Sequence, residues 1–324
     1  MSRTFRSGDE RGFALLAALG LLVALSALSL EFGLRARERR LVAANSIERG
    51  TAIAAARGGV QHALARLDAA LARAAIVGSG ASESRKWLDP WSHATTLLPD
   101  TVAIGREGRR ALYRVTLEDA NTALNVNRAS EHELRRLMLA LRIDAGRADQ
   151  VAQAIADWRD PDDLRRARGA ERAEYQQLGA AAFPRNGPFA EVRELRSVNG
   201  MTPEIYERMR PFVTVLGTGQ VNINRAEAEV LLSLPGMTAE AVAVLRGKRR
   251  GIRNLNDLLT DLSTGPRAVL LASLADLNAR VTFETREVVV SSKGWVEGGV
   301  VHAVVEALVV RGGTEAMAVS EVIR

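Results

Sequence analysis

Three patterns of apolar and polar positions succeed one another along the chain. The first is an apolar run from Phe13 to Leu30, free of charge and interrupted only by Gly20, Ser26 and Ser29. As a helix rising about 1.5 Å per residue it spans roughly 27 Å, enough to cross the hydrocarbon core of a bilayer. A buried helix of a soluble protein would carry a polar face, and this stretch has none. A cleaved secretory signal is the alternative, with Ala27-Leu28-Ser29 as its small-residue site.

The second pattern has the helical period. Between Leu41 and Arg73, the residues Val60, Leu64, Leu67 and Leu71 recur at three- and four-residue steps. Together the two stretches predict one long helix over 13–73, membrane-spanning at 13–30 and amphipathic beyond. Gly50, Gly58 and Gly59 loosen it without ending it, and "VGSGASES" from Val77 reads as a loop.

The third pattern alternates. In "ALYRVTLE", Tyr113, Val115 and Leu117 interleave with Arg114, Thr116 and Glu118, which predicts a strand with one buried face. Helical periodicity then takes over until Val281, where strands return. Two of them are joined near Gly298-Gly299, and a short last run follows Gly312-Gly313. The expected class is therefore α+β. A long helix packs on a small antiparallel sheet domain (74–119 and 280–324), and an all-α domain (120–279) is inserted between its strands.

That insert carries a weak internal repeat. "TALNVNRASEHELRRLM" from Thr122 matches "GQVNINRAEAEVLLSLPGM" from Gly219, and "LRSVNGMTPEIYERM" from Leu195 echoes "LLSLPGMTAEAVAVL" from Leu231. The shared Asn-[Val/Ile]-Asn-Arg-Ala opening places an asparagine where it would cap a helix. The turns Gly200-Met201-Thr202 and Gly236-Met237-Thr238 resemble helix-hairpin-helix units of DNA-binding proteins, whose glycine-flanked turns offer backbone amides to phosphate. Threonine stands where the second glycine would be, which removes the close backbone approach.

Composition adds little. A net charge of +6 arises from 44 basic and 38 acidic residues, so the basic excess is small. Without cysteine, disulfides and thiolate chemistry are excluded. His62, His93, His132 and His302 are scattered without ligand spacing, and no phosphate loop, dinucleotide fingerprint or nucleophile elbow occurs, so no enzyme is expected. "RGKRRGIR" from Arg246 offers Lys248, Arg249 and Arg250 as phosphate contacts, which supports an alternative reading as a membrane-anchored, helix-hairpin-helix DNA-binding protein of the competence type. The stretch "ADWRDPDDLRRARGAERAEY" gathers Asp157, Asp160, Asp162, Asp163, Glu171 and Glu174, hard oxygens of the kind calcium takes. Arg165, Arg166 and Arg168 lie among them and would compete with a cation.

The start of the chain resembles a type IV prepilin signal: a polar leader (1–12) ending in Gly12, then Phe13 opening the apolar helix. In that class a membrane peptidase cuts after the glycine, and the helix is kept as anchor and filament stem. Most such subunits carry glutamate at the fifth mature position, here Ala17. A carboxylate in hydrocarbon needs a partner, and a subunit with nothing above it has none to offer. With "NVNRAS", "ADWRDPDD", "GAERAEY" and "ELRSVNGMTPEIYERMRPFVTV", the whole chain resembles the K-type minor pseudopilins of type II secretion systems.

The resemblance implies a pseudopilin fold with a bulky helical insertion, and a tip complex with minor pseudopilins I and J above further pseudopilus subunits. It implies processing and N-terminal methylation by the prepilin peptidase, contact with the inner-membrane secretion platform, a single-pass inner-membrane anchor and a periplasmic head. It also implies calcium held by Asp160, Asp162, Glu171 and Glu174, although Arg172 stands where many relatives have another acid.

Overall fold

A computed structural model of the chain describes residues 9–80, 89–91, 101–105, 110–179, 183–248, 251–313 and 315–323. The first helix, α1, runs from Asp9 to Gly80, 72 residues in all, or roughly 110 Å. It overruns the expected span at both ends. The alanines from Ala69 to Ala75 are strong helix formers, and they carry it through Val77–Gly80, where a loop was expected; residues 81–84 of that stretch lie outside the described residues.

After α1 come β1 (Val102–Ile104) and β2 (Ala111–Asp119). The insert begins with β3 (Leu124–Asn125), α2 (Glu131–Ala140), α3 (Ala145–Arg159), α4 (Arg172–Gln177), α5 (Pro203–Met209) and β4 (Val213–Thr214). It continues with β5 (Val221–Asn222), α6 (Ala228–Ser233), α7 (Ala239–Gly247) and α8 (Asn256–Leu259). Its last elements are α9 (Thr264–Ala272), α10 (Leu274–Arg280) and β6 (Val281–Thr282). The chain then returns to the sheet with β7 (Glu287–Val296), β8 (His302–Gly312) and β9 (Glu315–Ile323). The sheet order is β1-β2-β7-β8-β9, antiparallel throughout. The insert thus interrupts the crossing from β2 to its neighbour β7.

Alternation along β2 is as the pattern predicts: Tyr113, Val115 and Leu117 are buried while Arg114, Thr116 and Glu118 face solvent. Their buried face meets Ala56, Val60, Ala63, Leu67, Ala70 and Leu71 of α1, with Val288, Val290, Val305, Ala307 and Val309 completing the core. Helix and sheet approach closely because both lack side chains at the crossing. A Cβ at Gly294 would lie 2.2 Å from the Ala52 carbonyl oxygen and 2.5 Å from the Ala56 nitrogen, and one at Gly59 would lie 2.1 Å from Ser292 Oγ. Gly59 is a packing position, which corrects its reading as a loosening of the helix.

The contacts also fix polarity. Gly294, near the end of β7, meets Ala52 and Ala56, while Ser292 meets Gly59 further along α1. β7 therefore runs back along the helix, and the insert joins it before Glu287, at the end farthest from the apolar span. Buried carboxylates tie both crossings. Asp119 accepts from Thr285 Oγ1 (2.8 Å) and Asn222 Nδ2 (3.1 Å), and Glu287 accepts the Thr218 N–H (2.9 Å). Burial raises the Asp119 carboxyl above the ordinary range.

The insert has its own core, running from Leu124 to Val281. Its two halves are built alike. β3 pairs in parallel with β4, and β5 with β6. After each leading strand, the Asn125 or Asn222 side chain accepts the N–H two residues on, and its carbonyl takes the N–H of Ala129 or Ala226. Asn127 and Asn224 then bridge to distant backbone, at Phe189 and at Ile252 and Phe283. The asparagines shape turns and do not cap helices. The cap of α2 is Ser130, whose Oγ accepts the Glu133 N–H (3.2 Å) while Glu133 takes the Ser130 N–H (2.6 Å).

Both glycine-led turns have the left-handed conformation that glycine permits (Gly200 φ +84°, Gly236 φ +71°), and a third turn between α2 and α3 puts Arg142 there at φ +59°. A side chain in that region costs about 1 kcal/mol. Arg142→Gly is expected to raise stability by about 1 kcal/mol, seen as a higher melting midpoint; a fall would show that the arginine side chain holds the turn.

Candidate functional site

Three places in the fold hold the residues singled out from the sequence. The first is the free half of α1. An 18-residue window of mean hydropathy 2.2 lies in it with none of its residues buried, and Leu15, Leu16, Leu22, Leu28 and Phe32 stand open to the surroundings. The helix is long and apolar enough to cross a membrane as a single-pass anchor, leaving the sheet and insert as a soluble head. Gly12 and Phe13 fall within the helical backbone, and Ala17 is exposed on its surface.

The second place is the set of hairpin turns. Each has its threonine, or Asp144 in the third, as the cap of the next helix: Thr202 accepts the Ile205 N–H, Thr238 that of Ala241 and Asp144 that of Arg147. A helix-capping amide that would face a phosphate is thus already taken. The open side of each glycine is filled from within the chain, Gly200 by Gln150 and Gly236 by Ser273. Lys248 pairs with Asp261 at 2.7 Å and Arg246 with Glu227 at 2.5 Å; Arg249 and Arg250 lie outside the described residues. Among the described residues this arrangement stabilises hairpins against each other and presents no phosphate cradle.

The third place is the acidic loop. The end of α3 buries Asp157 completely, and the chain folds back so that a Cβ on Gly169 would lie 1.9 Å from Asp157 Oδ2. Arg166 reaches into this fold. Its Nη1 donates to Asp157 Oδ1 (2.6 Å) and Asp160 Oδ2 (2.5 Å), and its backbone N–H to Asp157 Oδ2 (3.2 Å). Of the four expected ligands, Asp162 accepts the Leu164 N–H, and Glu174 takes the Glu171 N–H and lies 3.4 Å from Arg165. Oδ1 of Asp160 is buried without a partner, and the Glu171 carboxylate, buried at the start of α4, faces the Glu174 N–H. Burial, then the charges of Asp157, Asp160, Asp163 and Asp162, push the Glu171 carboxyl up to about 7.

Among the described residues no three carboxylates or histidines converge as metal ligands would. As arranged, with Arg166 holding two of the acids, the loop does not fit a calcium ion, which needs six to eight oxygens. Sequence alone did not single out Arg166 from Arg165 and Arg168, nor reveal Asp157 as the buried anchor. The clue was Gly169, whose missing side chain lets the loop close on Asp157.

Two of the histidines make ring contacts. His62 Nδ1 lies 3.0 Å from the Tyr113 hydroxyl, and His302 meets Trp295 edge to face; His93 lies outside the described residues.

Comparison with known proteins agrees with this architecture. The family described as type II secretion system (T2SS), protein K, matches residues 111–218. A putative type II secretion system protein K of Escherichia coli strain K12 is 39% identical over 88 residues, 27% of this chain and 27% of its own length. The type II secretion system protein K of Dickeya chrysanthemi is 31% identical over 139 residues, 39% of this chain and 37% of its own. These matches span less than half the length of the curated relatives. A chain from the crystal structure of the GspK-GspI-GspJ complex of the enterotoxigenic Escherichia coli type 2 secretion system shares the fold, with a TM-score of 0.64 and 19% identity. That likeness covers 90% of this chain and 99% of the other. The family match falls on β2 and the first half of the insert, where the chain is similar to protein K of type II secretion systems.

Proposed function

We propose that this chain is the tip subunit of the pseudopilus, an assembly protein without catalytic function that joins minor pseudopilins I and J and stops further subunits from adding above it. The observation that carries this reading is the place of the insert. It leaves the sheet at the end of α1 farthest from the apolar span, so its bulk lies where a next subunit would stack. Ala17 agrees: a subunit with no neighbour above loses nothing by lacking a carboxylate in the apolar stem. The head belongs in the periplasm, and the anchor in the inner membrane beside the secretion platform.

Processing is expected between Gly12 and Phe13. N-terminal sequencing of the mature chain from its host should begin at Phe13, and Gly12→Ala should leave only full-length precursor in the membrane. A mature chain starting at Met1 or after Ser29 would contradict this.

A further inference from the structure

Arg35, Arg37, Arg39 and Arg40 follow the apolar span directly and stand exposed on α1. With Glu31 and Glu38 as the carboxylates of this stretch, residues 31–40 carry two net positive charges. Arg35 pairs with Glu31, and among the described residues no ion pair engages Arg37, Arg39 or Arg40. The head does not reach this part of the stem. Among the described residues, its hydrogen bond to α1 nearest the apolar span is the one that Glu48 accepts from the Val301 N–H (3.0 Å).

We propose that these four arginines form a collar that binds the phosphates of anionic phospholipids where α1 leaves the bilayer. The proposal rests on the reading of α1 as the membrane anchor. Depth supports it. Arg35 to Arg40 lie about 7–15 Å beyond Leu30 along the axis, and helical side chains lean toward the N-terminal end, here the membrane. The headgroup layer beyond the hydrocarbon is about 5–7 Å thick, so the guanidinium groups meet it from above. The distribution around the helix supports it as well. Arg39 lies about 40° round from Arg35, Arg40 about 140° and Arg37 about 160° the other way. A protein partner would meet one side of a helix, whereas a plane of headgroups meets every side at one depth. Phosphate is also the anion that a guanidinium fork fits best.

The test offers the full-length chain, in a mild non-ionic detergent, equal amounts of phosphatidylglycerol and phosphatidylcholine, and counts the lipid retained per chain by mass spectrometry. The wild type should retain phosphatidylglycerol preferentially. Changing all four arginines to glutamine should cut that preference at least about tenfold, and changing them to lysine should keep most of it. Arg49→Gln, about 13 Å farther from the bilayer than Arg40 and beyond a Debye length, should leave it unchanged. Soluble glycerol phosphate should not displace the lipid. Equal preference in the wild type and the four-glutamine variant, an equal loss at Arg49→Gln, or displacement by glycerol phosphate would overturn the collar. Flotation separates this from failure of the anchor: both chains should float with pure phosphatidylcholine vesicles, because the apolar span suffices. If neither floats, the anchor is refuted and the collar with it; if both float without a difference in lipid preference, the collar alone is refuted.

Discussion

Gly294→Val is expected to detach the sheet from α1 and leave the head unable to fold. The added side chain would meet backbone, the Ala52 carbonyl at 2.2 Å and the Ala56 nitrogen at 2.5 Å from its Cβ alone. No rotamer relieves a clash with a helix backbone, so α1 would have to lift off the strand and expose Val60, Leu67, Val290 and Val305, all buried in the same core. Overpacking inside a deformable core costs about 1–3 kcal/mol. Against backbone the cost should exceed about 4 kcal/mol, a large part of a domain's stability. Protease resistance of the head is the readout, with Gly265→Ala as control, because nothing lies near that glycine in α9. The control should be neutral or slightly stabilising. A protease-resistant Gly294→Val head would mean that helix and sheet are not packed as described.

The second large effect is expected at Arg280→Ala. Arg280, the last residue of α10, donates to both oxygens of Glu133 on α2, at 2.8 and 2.9 Å, and the Glu133 side chain is 3% exposed. This pair joins the start of one half of the insert to the end of the other, across a sequence separation of 147 residues. Removing the arginine leaves a buried carboxylate with the Ser130 amide donating to it and the charges of Arg136 and Arg159 nearby, which costs about 3 kcal/mol, the low end for a broken buried pair. Adding Glu133→Gln should recover part of that loss, because the charge goes while the side chain can still accept from Ser130. Denaturant melts of the single and double variants measure it. A loss below about 1 kcal/mol for Arg280→Ala would place the pair among weak surface bridges.

What could be read beforehand divides by the range of the interactions. The stripe from Val60 to Leu71 and the alternation along β2 are local periodicities, and one face of each is buried where the pattern puts it. The turns at Gly200 and Gly236 were visible because the backbone there needs glycine. The equivalent turn at Arg142 was hidden because a non-glycine residue occupies the same conformation. The two-residue strands β3 to β6 carry too few residues to show a period, and their partners lie about 60 to 90 residues away. The acidic loop was legible as chemistry but not as geometry. Three arginines look alike in sequence, and only the return of the chain at Gly169 brings Arg166, and not its neighbours, onto Asp157.

The central claim is that the chain assembles as the K subunit of a pseudopilus tip. The most direct measurement is co-purification of the tagged full-length chain, in detergent, with the minor pseudopilins I and J of its own host. The account predicts a stable complex with one copy of each, unaffected by added duplex DNA at low salt. A chain that elutes without I and J, or that retards duplex DNA through residues 120–279, would contradict it.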